Sequence, residues 1–396
     1  VSISALTPAD ETAVANRPRV PFLDPLLLLA ALGLVACSVL TLRGAAGRSV
    51  AEHQLIFAGI GLVLCLLVSR IDYSRLREFK YGAYVLMVAL NLVVYGMPAQ
   101  GPPGGGAHRW IPIPLVNFQS SEFGKLLLTI ALSGFMVDRA RQMHERRTTA
   151  RIMLLALFGA MLVIPQPDLG TGLVYVAIGF AVLFFAGTSF RQLSGLIALF
   201  AVSITIALVA APAVGVHVLK CYQVQRITAF LHPNSTHSCP GAPDPSYQIK
   251  QSLTALGAGQ KTGQGIHATQ TKEGFLPVNT SDFVFASLGE IYGFVGCAIT
   301  LGLYALLMWR TLRIITISKN LFGSLIGAGI LAMFMFQVFV NVGVTIGIAP
   351  ITGVPLPLVS YGGSSVIVSF IAIGLLQSIY VQGRAAVAAK GRTLLS

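Results

Sequence analysis

Charge is what this 396-residue sequence has least of: 10% of its residues are Asp, Glu, Lys or Arg, against about 25% in ordinary soluble proteins. A globular domain of this length could not cover its surface with so few ions, so a soluble enzyme is excluded. Acids are scarcer still, 14 against 27 Lys and Arg, leaving a net charge of +13. The five cysteines are too few for a disulfide-dense secreted scaffold. What is abundant is apolar surface, 55% of residues, together with 41 Gly and 20 Pro and a mean hydropathy of +0.76. That mixture suits a chain of several bilayer spans, in which Gly and Pro are commoner than in soluble helices.

Apolar runs bounded by charge or by Pro and Gly fall near 25–42, 55–71, 80–97, 118–137, 151–164, 172–187, 191–214, 283–309, 321–346 and 359–383. The expected fold class is therefore all-α, a polytopic membrane protein of about ten helices. The runs 151–164 and 172–187 are short and separated by Ile164-Pro165-Gln166-Pro167-Asp168, which leaves open two half-buried helices meeting at membrane depth. Residues 1–24 are polar and carry Pro18 and Pro21, reading as a disordered tail. The first apolar run is long and lacks a small-residue cleavage site, so no cleaved leader is expected. The membrane domain is then 25–383, and 384–396 a second tail.

With the N-terminus inside, 18 of the 27 basic residues fall in cytoplasmic segments, including Arg70, Arg75, Arg77 and Lys80, and Arg139, Arg141, Arg146, Arg147 and Arg151. The positive-inside rule thus places both termini in the cytoplasm of a multi-pass protein of the cytoplasmic (inner) membrane. Most of the basic excess is anchoring, so membrane lipids are expected as partners and nucleic acid is not. The outward connections include 98–117, the break at 165–171, a loop of about 65 residues near 215–282, and 347–358. A loop that long is usually functional or disordered. Tyr247, Leu253 and Leu256 sit at a loose helical spacing within it, as for a segment on the membrane surface.

Cys37, Cys65 and Cys297 lie in apolar runs and read as packing residues. Cys221 and Cys239, 18 positions apart in the outer loop, read as a loop-closing disulfide. The rival is a metal cluster with His232 and His237, whose spacing matches no standard zinc pattern.

Glu122, Asp168, Asp282 and Glu290 all stand at outward helix ends, where a carboxylate costs a few kcal/mol unless it pairs, faces water or binds a cation. Any one of them reads equally as a cap or ion-pair partner. Four at the same end suggest a site. Asp282 opens the run Phe283-Val284-Phe285-Ala286, at a helix N-terminus that favours its ionised form. Glu290, about two turns deeper, reads as a structural tie between helices. In the stretch from Gly104 to Trp110, glycines allow close approach, Arg109 suits a phosphate, and Trp110 offers either a sugar-stacking face or an interface anchor. Glu122 and Lys125 are spaced for an intrahelical pair. Asn341 and the Pro350–Ser365 tract, with Ser360 and Ser364, read as a re-entrant loop or the lining of a polar pocket. Two nucleotide-like tracts, Gly257-Ala258-Gly259-Gln260-Lys261-Thr262 and Gly263-Gln264-Gly265, lack the required glycine spacing and strand context.

Trp110, Gln119-Ser120-Ser121-Glu122-Phe123-Gly124-Lys125, Gln166-Pro167-Asp168-Leu169-Gly170-Thr171, Tyr247-Gln248, Thr280-Ser281-Asp282-Phe283-Val284-Phe285 and Pro350 to Ser365 together resemble the ordered signature blocks of the SEDS family (shape, elongation, division, sporulation). Asn341-Val342-Gly343-Val344-Thr345-Ile346-Gly347 and Ile351-Thr352-Gly353 resemble the elongation branch, RodA, more than the division branch, FtsW. The resemblance implies a ten-helix peptidoglycan glycosyltransferase that polymerises lipid II at the outer face of the cytoplasmic membrane with a class B penicillin-binding protein. Asp282 matches the family's essential aspartate; Trp110, Gln119, Glu122, Lys125 and Asp168 match positions important for activity. The sequence departs at Ser120, where Pro is usual, at Ser281, where Thr is more frequent, and at Gly289-Glu290-Ile291, which keeps one of two adjacent acids.

The expected mechanism has Asp282 as general base on the acceptor GlcNAc 4-hydroxyl. Arg109 and Lys125, with a divalent cation (Mg²⁺ or Mn²⁺) held by Glu122 or Asp168, would neutralise the leaving diphosphate. Gln119, Trp110, Ser360 and Ser364 would contact substrate. Two other classes fit ten helices: a flippase of lipid-linked precursors, and a non-catalytic scaffold for cell-wall enzymes. A carrier should hold its acids near the midplane, whereas here the inward halves of the spans are almost free of them.

Overall fold

The structure, a computed structural model, describes residues 23–97, 110–113, 116–142, 144–166, 168–206, 221–231 and 244–393. The greater part of the expected N-terminal tail, Arg109 and Cys239 lie outside the described residues. Among the described residues ten helices form the bundle: α1 (Pro25–Ala45), α2 (Arg48–Ser69), α3 (Lys80–Val93), α4 (Ser120–Asp138), α5 (Arg146–Val163), α6 (Leu169–Phe185), α7 (Phe190–Thr205), α11 (Val284–Ile317), α12 (Leu321–Thr345) and α13 (Gly363–Thr393). Between α7 and α11 lie α8 (Cys221–Leu231), α9 (Pro245–Gly259) and the short α10 (Thr269–Lys272). Six of the ten are long and apolar enough to cross a membrane, and α3, α6 and α7 are shorter apolar helices. Such a chain must be helical because hydrocarbon offers no partner for an unpaired N–H or C=O.

One continuous core includes Leu34, Tyr175, Phe334 and Phe370. The exterior is apolar as well: Val63 is 57% exposed, Phe294 71% and Phe339 67%. In water that surface would aggregate. Against lipid tails it is the expected coat.

Several boundaries differ from the sequence reading. Helix α2 starts at Arg48 rather than near 55, because Arg48 pairs with Glu52 one turn on and Gln54 is buried in the bundle. Asp24, assigned to the tail, is the buried N-cap of α1; its carboxylate accepts from the backbone N–H of Leu26 and Leu27 and from the guanidinium of Arg310 on α11. Helices α5 and α6 each run about 25 Å, so they are near-complete spans rather than half-helices. Helix α13 carries on through the expected tail to Thr393. Residues 110–113 and 116–119, placed mostly in a loop, form an antiparallel hairpin, β1 (Trp110–Ile113) and β2 (Val116–Gln119). In the long loop, α9 has Asp244 as N-cap and Pro245 at its first turn. It buries Ile249 and Ala255 against the bundle while Tyr247 and Leu253 stay exposed.

Helix α11 is about 50 Å long and breaks at Gly293, whose φ of 65° and ψ of −161° are not helical. The Gly-rich tract after α9 fills the break. Gln264 N–H donates to the Glu290 carbonyl at 2.8 Å, while Phe294 and Val295 donate to the carbonyls of Gln260 and Lys261 at 2.9 and 3.1 Å. The tract that looked nucleotide-like is therefore a backbone plug. Its glycines are required by space: a Cβ on Gly293 would stand 2.4 Å from the Gly263 nitrogen, and one on Gly263 2.2 Å from the Ile291 carbonyl oxygen. Gly293→Ala is expected to destabilise the protein by roughly 1–3 kcal/mol through backbone strain alone. In detergent its thermal unfolding midpoint should fall, whereas that of Gly302→Ala, where a Cβ on the same helix meets nothing, should not.

Candidate active site

The hairpin, the turn before α6, the turn before α11 and the loop between α12 and α13 meet at one end of the bundle. Gln119, at the end of β2 and opposite Trp110 in the register, joins three of these pieces. Its backbone N–H donates to Ser364 Oγ at 3.0 Å, and its side-chain amide to Ser121 Oγ and Asp168 Oδ2, both at 3.2 Å. Asp168 also accepts from Ser121 Oγ at 3.1 Å and, as N-cap of α6, from Thr171 N–H at 3.2 Å. Trp110 is half-buried.

Residues 350–362 carry irregular backbone into the bundle, and buried side chains satisfy it. Asn341 Nδ2 donates to the carbonyls of Asp282 and Val354, both at 2.9 Å. Ser360 Oγ donates to the Ser281 carbonyl at 2.6 Å and accepts from Leu356 N–H at 2.8 Å; Tyr361 N–H donates to the Thr280 carbonyl. From the other side Ser38 donates to the Val359 carbonyl, Gln54 to that of Ser360, and Tyr304 to that of Pro357. Ser38, Gln54 and Tyr304 were missed in the sequence because single polar groups in apolar runs have no spacing signature. Their burial is the only cue.

The same loop separates two of the acids. A Cβ on Gly170 would stand 2.1 Å from Val354 Cγ2, so the Asp168 turn rests directly on the loop. On its other side, Asp282 Oδ2 lies 3.7 Å from where Gly353 would carry a Cβ. Gly353, at φ 74°, keeps the space under that carboxylate open.

The four acids expected at outward helix ends prove unequal. Glu122 is 1% exposed and pairs with Lys125 Nζ at 2.6 Å. With the Gln337 amide oxygen turned toward the ammonium, Gln337 accepts from Lys125 at 2.6 Å and donates to the Met333 carbonyl, tying α4 to α12. Asp168 is 2% exposed, with both oxygens taken by donors. Glu290 is fully buried and accepts from Gln270 N–H and from the N–H and hydroxyl of Thr271, fixing α10 to α11. Asp282 alone of the four is half-exposed. Ser281 Oγ donates to its Oδ1 at 3.3 Å.

Glu122 and Asp168, expected as metal ligands, both have carboxylate oxygens engaged within the protein. One is committed to an ammonium and the other to three neutral donors, and among the described residues no three His, Cys, Asp or Glu cluster closely enough to hold an ion. Lys125 likewise gives its charge to Glu122 and Gln337, away from any open surface. Ser360 and Ser364 are buried and bond to the protein's own backbone. Cys221 is disulfide-bonded, which removes it from the metal cluster weighed as the alternative. Cys37, Cys65 and Cys297 are free thiols.

Breaking a buried ion pair by removing one partner typically costs about 3–5 kcal/mol, whereas replacing both by apolar groups is often neutral. Lys125→Met is therefore expected to lower the thermal unfolding midpoint sharply, and Glu122→Leu combined with Lys125→Met to recover most of it. A Lys125 acting only on substrate would leave the midpoint unchanged.

Comparisons with known proteins cover almost the same span as the bundle. The family model for FtsW, RodA and SpoVE, described as cell cycle protein, matches residues 22–385. The peptidoglycan glycosyltransferase MrdB of Escherichia coli K12 is 35% identical over 363 residues, 90% of this chain and 93% of that protein. Stage V sporulation protein E of Bacillus subtilis is 34% identical over 83% of this chain and 86% of its own length. Among solved structures, a chain from a peptidoglycan synthase complex, described for its coordination of polymerization and crosslinking, superposes with a TM-score of 0.74 at 30% identity, covering 91% of this chain and 98% of that one. RodA of Thermus thermophilus superposes with a TM-score of 0.62 at 27% identity, covering 90% and 96%.

Proposed function

The chain belongs to the SEDS family of FtsW, RodA and SpoVE, and we propose that it polymerises lipid II with Asp282 as the general base. It is a multi-pass membrane peptidoglycan glycosyltransferase of the RodA type. The observation that carries the assignment of the base is the contrast among the acids. Three are sealed in hydrogen bonds at 0–2% exposure, and Asp282 is half-exposed over the Gly353 turn.

The acceptor's GlcNAc 4-hydroxyl attacks the anomeric carbon of the donor's MurNAc. As the new C–O bond forms, the hydroxyl proton passes to Asp282 and the bond from the anomeric carbon to the diphosphate breaks. A single displacement inverts that carbon, and the lipid diphosphate leaves. The hydroxyl must come within about 2.6–3.2 Å of the carboxylate, which a half-exposed aspartate permits and the other three acids do not. Arg109 is the cation we assign to the leaving diphosphate. Any divalent cation belongs to the diphosphate itself, since Glu122 and Asp168 are committed elsewhere. The excess of basic residues at the opposite helix ends supports both termini being cytoplasmic and Asp282 facing outward. The solved complex that this chain resembles supports a class B penicillin-binding protein as partner.

Purified protein, with and without that partner, incubated with labelled lipid II and a divalent cation, should yield glycan chains on gels. Movement of lipid II across vesicles with no chains would instead identify a carrier. Neither chains nor transport, from folded protein with its partner, would leave only a scaffold.

A further inference from the structure

The far end of the bundle holds a second feature. Helix α4 runs about 28 Å from the Glu122 end to Asp138. There the cytoplasmic ends of α3, α4 and α5 enclose a groove of about 880 Å³. Its floor is Phe135 of α4, against which Tyr81 and Tyr84 pack at ring distances of 5.1 and 6.1 Å. The Tyr84 hydroxyl donates to the Leu155 carbonyl at 3.0 Å and ties α3 to α5 beneath it. One wall is a helical stripe of α5, with Leu154, Phe158 and Met161 at 63%, 51% and 65% exposure. Arg151 continues that stripe at the groove's mouth, with Arg139 also in the lining.

Among the described residues no carboxylate cancels these charges, and the Arg139 guanidinium donates only to the Phe135 carbonyl at 3.5 Å. Asp138, the nearest acid in sequence to Arg139, is taken by Arg77 at 3.0 Å and Lys80 at 2.6 Å. Neither Arg139 nor Arg151 has an ion pair among the described residues. From Arg151 to Met161 the stripe extends about 15 Å, the depth of one leaflet of a hydrocarbon core about 30 Å thick. Two guanidiniums above an apolar channel one leaflet deep match a lipid with an anionic headgroup.

We propose that this groove binds an anionic phospholipid of the leaflet opposite Asp282. Arg139 and Arg151 take the headgroup phosphate, and the α5 stripe takes an acyl chain. Planar guanidiniums suit phosphate oxygens, and juxtamembrane basic residues add to the affinity for anionic lipid.

Native mass spectrometry of the detergent-purified full chain tests this by titration with phosphatidylglycerol and with phosphatidylcholine of the same acyl chains. Phosphatidylglycerol should be retained about tenfold more tightly. Arg139→Gln with Arg151→Gln should abolish that preference, and Arg151→Gln alone, at an exposed position, should reduce it. Arg146→Gln with Arg147→Gln, outside the groove lining, should leave it intact. Equal retention of the two lipids by the wild type would overturn the proposal. So would a preference that survives the groove variants, or one that the Arg146 and Arg147 control removes equally, since the attraction would then be diffuse. Dimers displaced by neither lipid would assign the groove to a second copy of the chain.

Discussion

Irregular backbone inside a membrane protein must find every hydrogen bond within the protein, and the end of this bundle that carries Asp282 is organised by that constraint. The breaks in helical order there include the loop 350–362, the turn before Asp282 and the kink at Gly293. Each of these finds partners elsewhere in the chain. Asn341 bridges the carbonyls of Asp282 and Val354, Ser360 bonds to Ser281, and the tract 260–264 exchanges backbone bonds with both sides of the kink. An aspartate on an unsupported loop would wander. Here its main chain is held from two directions while its side chain stays half-exposed.

The distribution of acids follows from the same economy of charge. With only 14 in the chain, a buried carboxylate persists where donors replace its water. Glu290 and Asp168 each receive three, and Glu122 a lysine. These groups hold α4, α6, α10, α11 and α12 in place around Asp282. Glu290 reaches the aspartate indirectly: it binds Thr271, whose carbonyl accepts from Asn279, three residues before Asp282. Residues at signature positions thus include carboxylates engaged in holding helices together, which motif matching alone does not reveal.

Among the described residues, the six long apolar helices and the three shorter ones were legible from hydropathy, because lipid imposes a long apolar run wherever a helix crosses. Their ends were less so, since Arg48–Glu52 and Asp24–Arg310 extend or cap helices by side-chain pairs that hydropathy does not register. The hairpin at 110–119 was missed because proline at 112 and 114 and a span of four residues per strand give too weak an alternation. The glycines at 257–265 were noticed but sought in nucleotide chemistry. Their function is close backbone contact with residues about 30 positions away, which no local pattern reveals. The site was legible as a set of blocks. Which of the four acids is least buried is a property of the folded chain.

The central claim is that Asp282 moves a proton and the surrounding residues hold it in place. Its most direct test is Asp282→Asn in the purified protein, comparing lipid II binding, thermal midpoint and chain formation. Binding and midpoint should stay near wild type while polymerisation falls by roughly 10²–10⁴-fold, the range for loss of a general base. Normal chain formation by the folded variant would contradict the claim.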